Sequence, residues 1–124
     1  MAEILFVSFG AILGANLRFK IYNKLEKINL SKDLIILTIN TFASFCLGLF
    51  LSLEEQLRAL TYYSQLVLFF SIGFLGSLST FSSFVFDLFA LCLKLEFFRA
   101  LKLFIISASM GIIAFALGIF LGNQ

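Results

Sequence analysis

The sequence predicts an all-α membrane protein of four transmembrane helices, the third broken near its middle. Three observations carry that prediction. The 124 residues are 61% hydrophobic and only 13% charged, with a mean hydropathy of +1.08. A soluble domain of this size needs a polar surface that such a composition cannot supply. Four segments each offer the run of about 20 mostly apolar residues that a bilayer-crossing helix requires. One of them carries "GFLGSLSTFSSF", Gly73 to Phe84, which sets two glycines and five hydroxyl side chains inside an uncharged run from Ala59 to Phe86.

The first span covers roughly residues 3–22 and is interrupted by Asn16 and Arg18. The opening Met1-Ala2-Glu3 lacks the basic start of a cleavable signal peptide, so this segment reads as a retained span. The second, 34–53, has no charge; the third, 66–93, is longer than one straight crossing needs; the fourth is 103–122. The loops between them are short and charged. Residues 1–124 therefore read as a single four-helix transmembrane domain, with any function placed in the membrane. Lys24, Lys27 and Lys32 follow the first span, and Lys94, Arg99 and Lys102 the third; the opposite side has only Arg58. Basic loops stay cytoplasmic, so both termini are expected outside.

Several function classes drop out on composition. There is no histidine and no Cys/His/Asp/Glu cluster, which argues against a transition-metal site. A net charge of +2 without a basic run argues against a nucleic-acid partner. Cys46 and Cys92 lie within apolar segments and read as packed small hydrophobes. No proline is present, so a helix break must come from glycine and hydroxyl residues.

In lipid, small residues that let backbones meet are the packing signal. Gly10-x-x-x-Gly14 in the first span and Gly118-x-x-x-Gly122 in the fourth read as packing ridges, with Ser107 and Gly111 extending the latter. Asn40, Ser44 and Gly48 form one stripe of the second span. A buried amide must find partners, so Asn40 is either an interhelical clasp or a pore-lining donor. Arg18 either snorkels to the interface or holds positive potential over an aqueous vestibule. In the third span, Ser77, Ser79, Thr80, Ser82 and Ser83 beside Gly73 and Gly76 predict an interruption near Gly76 to Thr80. Backbone oxygens exposed there would suit a hard monovalent cation. Phe81 and Phe84, three apart, should project the same way. Ring edges are positive and could line an anion path, but with 18 phenylalanines, most of them lipid-facing or packing residues, two rings three apart are not by themselves evidence for one.

These motifs resemble those of the CrcB/Fluc family of small bacterial fluoride channels. The family has a glycine-rich break before Thr-Thr-Phe-Ser-Thr-Phe, to which "GFLGSLSTFSSF" is similar. "GAILGANLRF" (Gly10 to Phe19) looks like its first-helix motif, and "NTFASFCLG" (Asn40 to Gly48) matches its asparagine, phenylalanine and glycine spacing. The resemblance spans nearly the whole chain. It implies an antiparallel dimer with two fluoride pores at the interface. It implies a structural, non-transported sodium ion at the dimer centre, on the backbone carbonyls matching Gly76 and Ser79. It implies ring-edge contacts to fluoride from Phe81 and Phe84, a pore amide at Asn40 and a vestibule guanidinium at Arg18. A hydroxyl track would draw on Thr80, Ser82, Ser83, Ser107 and Ser109.

The chain departs from the family pattern at Ser79 and Ser83, where threonines are usual, and at Ala43, where glycine is expected. Leu103 and Phe104 stand where a tyrosine is often found. Its loop charges are strongly biased, whereas many members are balanced. That suggests one fixed orientation, with a homodimer or a heterodimer with an oppositely oriented sister subunit both open. The expected function is passive export of cytoplasmic fluoride across a bacterial plasma membrane, lowering fluoride toxicity, with no enzymatic activity. The alternatives are a small four-helix multidrug exporter, which needs an intramembrane acid, and a non-transporting membrane scaffold subunit.

Overall fold

A computed structural model describes residues 1–124, the Glu55 side chain excepted. The elements are α1 (Ala2–Glu26), α2 (Lys32–Ser52), α3 (Glu54–Leu57), α4 (Tyr63–Leu66), a π-helical segment (Val67–Leu75), α5 (Gly76–Leu78), α6 (Phe81–Leu93) and α7 (Phe97–Gly122). Four helical stretches are long and apolar enough to cross a membrane: Ala2–Glu26, Lys32–Ser52, the composite Tyr63–Leu93, and Phe97–Gly122. The chain is an all-helical, multi-pass membrane protein. Helix α7 starts at Phe97 and not near Leu103, so Arg99 and Lys102 stand on its first turns and not in a loop. Long basic stems can run along an apolar helix and carry their charge outward. Arg99 also donates to the Glu96 carboxylate at the helix entry.

The helices pack as two close pairs. Helix α1 lies against the π-helical segment, and the approach depends on missing side chains. A Cβ on Gly73 would sit 2.6 Å from the Val7 carbonyl oxygen and 3.1 Å from the Gly10 Cα. A Cβ on Gly10 would meet the Phe69 carbonyl, and one on Gly14 the Phe74 carbonyl. Helix α2 lies against α7 by the same means: a Cβ on Gly118 would come within 2.9 Å of the Leu49 nitrogen and collide with the Phe45 carbonyl. Close backbone contact supplies the dispersion that lipid cannot supply as hydrophobic drive. Both GxxxG ridges thus serve helix packing, and Gly48 and Gly73 join them.

Between the two pairs sits a small apolar core of Ile35, Ile39, Ala43, Leu75 and Leu78. It ties α2 to the middle of the third span. Most other large apolar side chains face outward, as a bilayer solvent demands.

The chain reverses between α6 and α7 at Leu95, which adopts the left-handed region with φ 59°. Two bonds close that turn: Leu95 N–H donates to the Cys92 carbonyl at 3.0 Å and Glu96 N–H to the Leu91 carbonyl at 3.0 Å. This is the paired C-terminal bonding of a Schellman motif, built without its usual glycine. On the other side, Glu54 accepts from Arg58 and from the Tyr63 hydroxyl. Those bonds hold its carboxyl below the usual glutamate range, the Arg58 bond contributing most.

Asp87 on α6 is the one buried carboxylate among the described residues. Lys32 at the start of α2 pairs with it at 3.2 Å and lies 5.0 Å from the centroid of the Phe86 ring. Removing the ammonium leaves the buried charge without its partner. Lys32→Met is expected to cost about 1–3 kcal/mol, discounted because the lysine side chain is half exposed. Thermal unfolding in detergent checks this, with Lys32→Met combined with Asp87→Asn recovering part of the loss.

Candidate functional site

Within the third span the backbone leaves helical geometry at two residues. Ser79 has φ −70° and ψ 157°, and Thr80 has φ −139° and ψ 108°, both extended. Gly76 stays helical, with φ −62° and ψ −36°. The non-helical residues are therefore the hydroxyl-bearing ones and not the glycines. A β-branched threonine suits extended backbone, and its oxygen can cap the helix that follows. Thr80 does so: its Oγ1 accepts from Ser83 N–H at 3.4 Å and donates to Ser83 Oγ at 3.1 Å.

The extended residues leave polar backbone groups inside the bundle, and Asn40 meets them. Thr80 N–H donates to Asn40 Oδ1 at 2.8 Å, and Asn40 Nδ2 donates to the Thr80 carbonyl at 3.1 Å. The side-chain amide pairs with the main chain of one residue as a neighbouring strand would. Arg18 serves Ser79 similarly, its Nη1 donating to the Ser79 carbonyl at 3.2 Å. The guanidinium turns into the bundle and not out to the interface.

Two hollows flank this seam. One, of about 350 Å³, is shaped by α1, α2 and the start of α6, with Arg18, Tyr22, Thr80 and Ser83 on its surface. The other is a groove of about 160 Å³ between α2, α6 and α7, lined by Asn40, Ser44, Phe84, Phe104, Ser107 and Gly111. Asn40 thus borders the groove while its amide holds Thr80, so clasp and lining residue are the same side chain.

Comparison with known proteins places these features. The profile described as "CrcB-like protein, Camphor Resistance (CrcB)" matches residues 5–119. The chain belongs to the CrcB family. It is 74% identical over 124 residues to the fluoride-specific ion channel FluC 2 of Prochlorococcus marinus (strain NATL2A), covering 100% of both chains. It is 41% identical to FluC 1 of Parasynechococcus marenigrum (strain WH8102), over 97% of this chain and 93% of that one. A fluoride-specific ion channel FluC of Ignicoccus hospitalis is 32% identical, over 95% of this chain and 93% of its own length.

The residues singled out by the CrcB resemblance do not all gather. Arg18, Asn40, Ser79, Thr80 and Ser83 meet at the seam, and Phe84 and Ser107 meet Asn40 in the groove. Phe81 does not join them: it is 78% exposed, while Phe84 is half-buried. Three residues on a helix advance by less than a full turn, which here separates one packed ring from one presented outward. Ser82 is also exposed, and Ser109 lies on the exposed side of α7, two residues past the groove-lining Ser107.

Whether the Gly76 and Ser79 carbonyls could receive a sodium ion depends on which donors they already hold. A continuous helix would send Thr80 N–H to Gly76 and Ser83 N–H to Ser79, but those donors go to Asn40 and to Thr80 Oγ1. Gly76 O keeps only a long bond from the Ser79 hydroxyl, 3.4 Å. Gly76 is exposed, and a Cβ there would find only Ser71 O, 3.9 Å away. Oxygen type and accessibility suit a hard cation. One chain offers two such oxygens, and Arg18 already donates to one of them, so the donor set fits only part of a cation's coordination.

Sequence reading alone missed the Thr80 cap and the groove role of Phe104. The first had a signal, a threonine three residues before Ser83 at a helix start. The second had a weaker one, the spacing of Phe104, Ser107 and Gly111 along a single face of α7.

The Asn40 pairing has a direct test. Asn40→Leu removes both bonds and is expected to cost about 2–4 kcal/mol of stability. Asn40→Asp keeps an acceptor for Thr80 N–H but sets a carboxylate against the Thr80 carbonyl, and is expected to destabilise as well. Unfolding midpoints of purified protein matching the parent in both variants would contradict the clamp.

Proposed function

We propose that this chain forms a fluoride channel of a bacterial plasma membrane, through which cytoplasmic fluoride leaves passively down its electrochemical gradient. Export of this kind lowers fluoride toxicity. The observation that carries the reading is the groove in which an amide, a phenyl ring and a hydroxyl meet beside the extended residues. Full-length relatives named as fluoride-specific ion channels support it.

Fluoride is small and strongly hydrated, so a dry path must replace its water with donors. An amide carries two N–H donors. One of Asn40's is engaged by Thr80, and the other is left to face an ion in the groove. Ser107 adds a hydroxyl, and Phe84 adds ring-edge hydrogens that are positive without being charged. None of these groups holds a full charge, so an anion can be bound weakly enough to leave. Arg18, Thr80 and Ser83 border the hollow on the other side of the seam and would raise local anion concentration there. Ser82 and Ser109 would belong to the hydroxyl track only as lining supplied toward a partner.

The assembly reading is an antiparallel dimer. Phe81 and Gly76 are presented outward next to the extended residues, as a surface awaiting a second copy would be. Phe81 would then complete a path on the partner side. The Gly76 and Ser79 carbonyls from each copy would hold a structural sodium ion, which supplies positive charge to join the two interrupted segments and is not transported. The basic bias of residues Lys24–Lys32 and Lys94–Lys102, at the junctions between the first and second and the third and fourth spans, favours one orientation for this chain, which leaves an oppositely oriented sister subunit as the natural partner.

A proton-coupled exporter needs an acid free to exchange protons at membrane depth. Asp87 is buried, but Lys32 is its ion-pair partner, which disfavours that role.

Efflux from proteoliposomes is the test, with fluoride and chloride compared against protein-free vesicles. Fluoride is expected to leave rapidly and chloride to stay. Phe84→Ile and Phe81→Ile are each expected to abolish fluoride efflux while the purified protein keeps its elution volume. Parental efflux in either variant would remove the ring from the path.

A further inference from the structure

The groove has a second aromatic wall. Phe104 of α7 lies beside Phe84 of α6, with ring centroids 6.4 Å apart and ring planes only 28° from parallel. Both rings line the same groove as Asn40 and Ser107. Phe104, Ser107 and Gly111 recur at three- and four-residue spacing, so one face of α7 turns toward the groove. The glycine keeps that face low: a Cβ on Gly111 would sit 3.6 Å from Ser44 Oγ across the cleft.

A phenyl ring presents two electrically opposite surfaces, a negative face and a positive edge. Only the edge attracts an anion. Rotation about the final side-chain bond of phenylalanine is broad, so helix geometry alone does not decide which surface a groove meets. A near-parallel neighbour favours one plane, because turning the ring through a right angle gives up the stacked pairing. We propose that Phe104 is a positioning residue for the anion path, holding the plane of the Phe84 ring so that its edge borders the groove. This inference rests on the channel reading above.

The role belongs to the ring and not to bulk. Leucine fills comparable space but cannot stack, so Phe104→Leu frees the Phe84 plane. Tyrosine keeps the stacking ring. The experiment is fluoride efflux from proteoliposomes, normalised to folded protein from its elution peak, for the parent, F104L and F104Y. F104L is expected to slow efflux by about threefold to tenfold, the range set by the strength of one aromatic pair. F104Y is expected to recover most of that loss. Fluoride-over-chloride selectivity should also fall in F104L, which a purely packing role would leave untouched. If F104L does not yield folded protein, F104M, which is flexible and ringless, takes its place with the same expectation. Parental efflux and selectivity in the ringless variant overturn the inference, as does a tyrosine variant as slow as the ringless one. A parent that conducts no better than protein-free vesicles overturns the channel reading and this role with it, so the two failures are told apart by the parent alone.

Discussion

A backbone cannot leave its polar groups unpaired in an apolar bundle, and this molecule depends on how it meets that constraint at Ser79 and Thr80. Each unpaired N–H or C=O at bilayer depth costs on the order of several kcal/mol. Two extended residues in mid-span therefore exist only if something from another helix answers them. Asn40 answers both the donor and the acceptor of Thr80, and Arg18 answers the acceptor of Ser79. The Thr80 hydroxyl then closes the start of α6. Three side chains thus make an interruption affordable in a place where an unbroken helix is the default.

That arrangement places the rest. Because Asn40 reaches the seam from α2, the α2 stripe of Asn40 and Ser44 lies toward α6 and α7 and becomes one wall of the groove. Because α2 crosses α7 at Gly48 and Gly118, Ser107 and Phe104 are brought to the opposite wall. Because α1 meets the π-helical segment through Gly10 and Gly14, Arg18, one turn further along the same stripe, comes within reach of the Ser79 carbonyl. The glycine crossings and the polar seam are parts of one construction: the first sets helix spacing, and the second uses it. The Lys32–Asp87 pair continues the logic at the middle of α6, where a buried charge is met by a cation from the start of α2.

The same physics separates what stays inside one chain from what is offered outward. Gly76 keeps a carbonyl whose helical donor has gone to Asn40, and Phe81 is a large apolar ring with little packed against it. Both adjoin the extended residues. On the proposed reading, that outward side is where a copy of itself or a close relative would meet it.

The sequence by itself determined the solvent and the segments. Sixty-one per cent hydrophobic residues and four long apolar runs leave no other medium for the chain, because apolar burial is summed over composition and needs no knowledge of contacts. It also marked the third span as irregular, since serines and threonines offer the backbone local alternatives to a helix. The tertiary structure decided which residues would be irregular. Gly73 and Gly76 had the conformational freedom, yet Gly73 was taken for close packing against α1 and Gly76 stayed helical. The extended geometry fell to Ser79 and Thr80, the residues that Arg18 and Asn40 could reach. It decided, too, that Phe84 faces the groove while Phe81 does not, and that Phe104 stands beside it. Periodicity places side chains on their own helix only; which neighbour they meet depends on how helices cross, and those crossings are set by long-range contacts that no local pattern contains.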